Sequence, residues 1–176
     1  IRVNDISFTT PRENRLMYSN DKYAKNMVVS AELAPMLKNI KAFLLGSFSE
    51  VVDFDILKAR MASTGELFES IAPDAWIVYE DGCYINKDFR HYVHKSLEEF
   101  IDVLSMNEDE MQEYIGNRIN LHDPVAVSEA LSYVYKEIGV PVLVVHSASW
   151  TIAYGKYPEK LKDALNQGTC LSATRY

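Results

Sequence analysis

Four short apolar runs punctuate this chain: Ala42–Leu45 and residues 75–79, 101–104 and 142–145. Between them lie longer stretches in which apolar residues recur every three or four positions. Phe54, Leu57, Met61, Leu67, Phe68 and Ile71 mark one such stretch, and Phe89, Tyr92, Val93 and Leu97 mark another. A third carries Val127, Ala130, Leu131, Val134, Tyr135 and Ile138. A period near 3.6 predicts amphipathic helices, and brief unbroken apolar runs predict buried strands. The punctuation agrees. Pro124 suits the first turn of the third helix and Gly139 its end, whereas Gly65 weakens the first helix where it can divide. Upstream, Ser30 can cap a helix running from Ala31 towards Lys38, which Pro35 confines to an early start or a kink. Residues 15–18 read as a further strand.

Strands alternating with helices long enough for crossovers predict a three-layer α/β domain, a mainly parallel sheet with helices on both faces. We read residues 1–176 as one such domain. The chain opens on Ile1 rather than Met and stops at Tyr176 within a helical pattern, as expected of a processed chain or part of a longer one. Parallel sheets collect ligands beyond the carboxyl ends of their strands. Here those ends read Gly46-Ser47-Phe48, Glu80-Asp81-Gly82, Asn107-Glu108-Asp109-Glu110 and His146-Ser147.

Asn107-x-x-Glu110 is the sharpest of these. Asn is a favoured N-cap, and a Glu three residues on can bond back to the cap's amide, so the pattern predicts a capping box. Yet Glu108, Asp109 and Glu113 crowd the same strand end. Clustered carboxylates suit a hydrated Mg²⁺, and a capped helix would hold its carboxylate still. Glu80 and Asp81 form a second acidic strand end, read equally as a solvated terminus or as part of that metal site. A hydrolytic role for His146 would need an orienting carboxylate and an exposed nucleophile, and nothing in the chain resembles a nucleophile elbow. His146 reads as a histidine bonded to main chain, or as a purine contact beside Trp150. Arg15 reads by itself as a surface charge.

The composition removes several classes. The 176 residues carry a formal net charge of -7, against a nucleic-acid binder, which needs a basic footprint. No run approaches a bilayer span, and no signal region opens the chain. Cys83 and Cys170 lie far apart, outside any metal-ligand spacing, and fit a reducing compartment, so a soluble cytoplasmic protein is expected. No glycine-rich phosphate loop of the Walker or dinucleotide type is present, which removes the P-loop ATPases and counts against a Rossmann oxidoreductase.

Taken in order, four segments resemble the ADP-dependent glucokinase/phosphofructokinase family of ribokinase-like sugar kinases. Asn14-Arg15-Leu16-Met17 is similar to the family's Asn-Arg-Phe-Ile strand, and residues 42–48 to its strand ending in Ser-Gly and an apolar residue. Residues 103–111 resemble Ser-x-Gly-(Leu/Met)-Asn-Glu-x-Glu-Leu, the most specific match. Val145-His146-Ser147 with Trp150 resembles Val-His-Thr and a following aromatic.

The resemblance implies a kinase moving a phosphoryl group from ADP, or ATP in the wider ribokinase-like group, to a sugar or sugar phosphate. By it, Asn107 and Glu110 organise Mg²⁺ and phosphate, partly through water. Glu80 matches the acid of the family's His-x-Glu, with Val78 in the histidine's place. Arg15 corresponds to a phosphate-contacting arginine and His146 to a residue near the adenine. The family's Gly-x-Gly-Asp segment, which carries the catalytic Asp, has no counterpart here, and its amino-terminal sugar-binding segment is missing or curtailed. The chain is therefore expected to be the central part of such a kinase and inactive alone. A non-catalytic nucleotide- or partner-binding protein on the same scaffold is the alternative.

Overall fold

The computed structural model describes residues 29–46 and 48–174, together with 2–3, 6–7 and 9. Arg15, the strand read over 15–18 and Ser47 lie outside the described residues. Two strands of two residues each, β1 (Arg2–Val3) and β2 (Ile6–Ser7), pair antiparallel near the start of the chain. The rest is built on a five-stranded sheet. Its strands are β3 (Ala42–Leu45), β4 (Trp76–Glu80), β5 (Val103–Asn107), β6 (Val142–His146) and β7 (Thr151–Gly155), side by side in chain order. The first four are parallel, as predicted, and β7 returns antiparallel to β6.

Four of the helices open on a side-chain cap visible in the sequence. Ser30 does cap a helical turn, accepting from the Glu32 amide, but Pro35 splits that segment into a 3₁₀ turn, Ala31–Leu33, and α1 (Ala34–Leu37). Asp53 caps α2 (Phe54–Phe68), which runs unbroken through Gly65. Asn86 caps α3 (Lys87–Leu97). Asn107 caps α4 (Glu108–Ile115), and Gly116 ends it in the left-handed region at φ 70°. Asp123 caps α5 (Pro124–Ile138), with Pro124 in its first turn and Gly139 terminating it at φ 77°. A 3₁₀ turn, Pro158–Leu161, then leads into α6 (Lys162–Thr174).

Strands taken in sequential order by right-handed crossovers leave all the intervening helices on one face. The packing agrees. Leu57, Met61 and Leu67 of α2, Val93 and Leu97 of α3, Met111 of α4 and Leu131 and Val134 of α5 share one core. From the sheet, Tyr79, Leu104, Met106, Leu143 and Val145 join it. The opposite face holds a smaller cluster, Val103, Val142 and Val144, covered by Leu161 and Leu165. Helices thus lie on both faces, but unevenly.

That asymmetry corrects the reading of β3 as a buried strand: Leu44 is 70% exposed, on the thinly covered face and at the edge of the sheet opposite β7. Three strand boundaries also move towards the carboxyl end. Glu80 and His146 are each the last residue of their strand rather than the first residue beyond it, and β5 runs three residues past Leu104 to end on Asn107.

β7, which the sequence reading missed, is seated by Gly155. Its φ is +134°, and a Cβ there would lie 2.4 Å from the Pro141 carbonyl oxygen and 2.9 Å from the Tyr135 ring. Gly155→Ala should therefore cost about 2–3 kcal/mol through backbone strain and overpacking. A denaturant melt measures this, and an unchanged midpoint would show that β7 peels away freely.

Candidate functional site

The parallel register sets Glu80 of β4 beside Ser105 of β5, and Asn107 of β5 beside His146 of β6. Three neighbouring strands therefore deliver Glu80, Asn107 and His146 to one edge of the sheet. Glu110 follows one turn into α4.

Asn107 and Glu110 form the capping box in full. The Asn107 side-chain oxygen accepts from the Asp109 and Glu110 amides, both at 2.9 Å, and Glu110 Oε2 accepts from the Asn107 amide at 2.8 Å. Glu110 is only 3% exposed, and its other oxygen lies 3.8 Å from the Cys83 thiol. Burial raises its pKa above the ordinary carboxylate value. The Asn107 amide pulls it down, while the charges of Asp81 and Glu80 push it further up. These two carboxylates are thus close enough to Glu110 to be felt.

Glu80 faces the other way, towards the side that α6 covers. Its Oε1 lies 3.2 Å from His146 Nε2, and both side chains are more than two-fifths exposed. Burial alone would raise the Glu80 pKa, but hydrogen bonds from His146 and Ser105 and the His146 charge together lower it. The same bond raises the pKa of His146 against its own burial, helped by the charges of Glu80, Glu110 and Glu108.

The pair is ionised between the two folded values, from below 4.5 for Glu80 to above 6.5 for His146. Stability from His146 is complete below its unfolded pKa and is lost as pH rises through the higher folded one. Stability from Glu80 is complete above its unfolded pKa and is lost as pH falls through the lower folded one. Solvent screens so exposed a pair to at most about 1 kcal/mol. His146→Gln should therefore lower stability slightly at pH 6 and not at all at pH 9. Melts across that range measure the difference, and a penalty that grows with pH would reverse the assignment.

Asp81, the next residue, turns to the helical face, where its side chain is fully buried. There it lies 3.2 Å from His94 Nε2 and 3.5 Å from Arg90 Nε. Arg90 also donates to the Gly82 carbonyl at 3.0 Å and reaches Glu113 at 3.0 Å. The Tyr114 hydroxyl bonds His94 Nδ1. This network was not read from the sequence. Its signal was Arg90 and His94 four residues apart, beside the apolar stripe of α3 and facing an acidic strand end.

The network also thins the acidic cluster read after β5. Glu113 is committed to Arg90, and Asp109 pairs with Arg118. Trp150 is anchored, its indole nitrogen donating to the Leu121 carbonyl at 3.0 Å and its partly buried ring packing on the large core. Both cysteines are free and exposed.

Two clefts open along this edge. One, of about 400 Å³, lies between the ends of β3 and β4 and is lined by Gly46, Ser49, Glu50, Glu80 and Asp81 among others. The other, of about 520 Å³, lies under α6, with Ser105, Val144, His146, Thr151 and Leu165 in its wall. Among the described residues, no group of three or more His, Cys, Asp or Glu is arranged to hold a metal. Among the described residues, no helix is long and apolar enough to cross a membrane.

No profile of a known protein family matches the chain, and no curated protein does. Solved structures do. An ADP-dependent phosphofructokinase from Pyrococcus horikoshii OT3, described as hypothetical, superposes with a TM-score of 0.57 at 13% identity, over 73% of this chain and 33% of its own. A phosphofructokinase from the same organism, solved with AMP, matches over the same shares with the same TM-score. The last common ancestor of ADP-dependent phosphofructokinases from Methanosarcinales reaches 0.57 at 20% identity, over 71% of this chain and 30% of its own. The chain spans about a third of the length of these proteins, and over that span it shares their α/β fold.

Proposed function

We propose that this chain carries the metal- and phosphate-organising edge of a carbohydrate kinase, which transfers a phosphoryl group from ADP to a hydroxyl of a sugar or sugar phosphate. The observation that carries this reading is the convergence of Glu80, Asn107–Glu110 and His146 on adjacent strand ends of a parallel sheet. Phosphoryl transfer asks little covalent chemistry of a protein. It asks for positioning and for neutralisation of charge on the transferring group. Mg²⁺ would supply that neutralisation. Glu110, immobilised by its capping box, and Glu80, steered by His146 and Ser105, would fix the waters around it. Arg15 would contact phosphate and His146 would lie near the adenine, as the family resemblance implies, with the catalytic Asp supplied from outside residues 1–176.

The test, on a protein that joins residues 1–176 to the segment bearing the catalytic Asp, is an assay for AMP and sugar phosphate with Mg·ADP and a panel of hexoses and hexose monophosphates, repeated with Mg·ATP. Equal amounts of AMP and sugar phosphate are expected with ADP. Transfer from ATP alone would keep the kinase and overturn the donor.

A second reading is favoured by Glu110 itself, so deeply buried and so fully used by the cap that the motif serves the fold without catalysis. A protein that holds this chain together with the family's catalytic Asp, binds Mg·ADP and transfers nothing to any acceptor would establish it.

A further inference from the structure

We propose that Arg90 is the positioning residue of this edge, setting the spacing between the strand end that carries Glu80 and the helix that carries Glu110. The inference rests on the reading of those carboxylates as ligands of a hydrated divalent cation. Glu80 belongs to β4 and Glu110 to α4, and the loop after β4 separates them. Arg90, from α3, holds both sides at once. Its guanidinium donates to the Gly82 carbonyl, lies 3.5 Å from Asp81, and reaches across to Glu113 on α4.

The guanidinium cannot easily take another position. Its carbon lies 5.4 Å from the Tyr84 ring centre and 5.2 Å from that of Tyr114. Tyr84 shares a 2.6 Å hydrogen bond with Tyr79 of β4, and Tyr114 is tied through His94 back to Asp81. The Arg90 side chain is 8% exposed. A planar fork that meets acceptors on two elements, clasped between two aromatic rings, is a task for arginine that lysine cannot reproduce. No hydrogen bond or ion pair joins Arg90 to Glu80 or Glu110 themselves; its charge is felt at Glu110 through space, while its hold on their spacing passes through the backbone it clamps.

A role in folding alone and a role in positioning predict different outcomes. Arg90→Lys keeps the charge but has one ammonium in place of the fork. The probe is Mn²⁺ in the presence of ADP, followed by electron paramagnetic resonance, with a thermal melt of each protein. Positioning predicts that Arg90→Lys melts close to the wild type and binds Mn²⁺ about tenfold more weakly. Arg90→Met sharpens the contrast: loss of a cation beside carboxylates would strengthen Mn²⁺ binding by simple electrostatics, whereas loss of positioning weakens it.

Wild-type affinity in Arg90→Lys, or tighter binding in a folded Arg90→Met, would overturn the assignment of Arg90 and leave the metal reading standing. A wild-type protein that binds no Mn²⁺ would overturn the metal reading, and this inference with it. Should neither variant fold, the wild type decides by nuclear magnetic resonance. The Arg90 Nε–H signal should be protected from exchange and should shift on adding Mg²⁺ and ADP, saturating with the binding curve. A signal that does not move while the metal binds would overturn the proposal.

Discussion

In an active protein that joins this chain to its catalytic Asp, Glu110→Gln should melt within about 1 kcal/mol of the parent, yet turn over about 10- to 100-fold more slowly and require more Mg²⁺. The two halves of this expectation have separate physical origins. In the cap, Glu110 Oε2 accepts from the Asn107 amide at 2.8 Å, and a glutamine carbonyl accepts the same bond. The charge contributes nothing to that bond that the fold requires. Burial and the neighbouring Asp81 and Glu80 raise the Glu110 pKa, so the folded state penalises its ionised form. The sign of the pH dependence follows. A carboxyl with a raised folded pKa opposes folding in full above that value, and the penalty fades as pH falls from it to the lower unfolded value. The neutral glutamine escapes this penalty, which offsets part of any loss in the cap.

Ordering of a divalent cation, by contrast, depends on the negative charge. Turnover measured across a Mg²⁺ titration, beside thermal melts of both proteins, checks the two halves together. Unchanged turnover and an unchanged Mg²⁺ requirement in a stable variant would reduce Asn107-x-x-Glu110 to a helix cap.

The largest loss of stability is expected at Asp81, not at any residue read as a ligand. Asp81→Ala leaves the Arg90 guanidinium buried with one carboxylate fewer and removes a partner of His94. Breaking a buried ion pair on one side costs about 3–5 kcal/mol, because the surviving charge stays desolvated. In a chain of this size that lowers the melting temperature by roughly 6–20 °C. Asp81→Asn keeps an acceptor for His94 and should fall between the two.

The double variant Asp81→Ala with Arg90→Met tests the cause. Once both charges are gone, the penalty should be clearly smaller than the sum of the single losses. Additive losses would mean that Asp81 and Arg90 act independently and that their 3.5 Å approach contributes little.

Much of this architecture is legible in one dimension because its determinants are local. Short apolar runs bounded by turns marked β3 to β6, and the Asn107, Pro124 and Gly139 signals marked helix ends where the structure has them. Capping and backbone preference act within four residues, so their residues are adjacent in the chain. The β7 strand is not marked in this way. It is amphipathic only in the context of β6 and α6, its five residues are all partly exposed, and its place depends on Gly155 meeting Pro141.

The candidate site divides along the same line. Placement of Glu80, Asn107 and His146 at strand ends follows from local pattern, and the general rule for parallel sheets predicts that such ends share an edge. Which way each side chain turns does not follow. Successive residues of a strand face opposite sides, so the one-residue boundary shift that put Glu80 inside β4 also sent Asp81 to the buried face. The Asp81–Arg90–His94 network then follows from how closely α3 and α4 approach the loop after β4. Asp81 is 13 residues from His94, and the desolvation that makes these contacts matter exists only once the core has closed around them. The sequence alone determined the order of the elements, their caps and the acidic character of the sheet edge. The tertiary structure decided which acids remain available to a ligand and which are committed to holding the edge together, because burial and the approach of distant helices are properties of the packed chain.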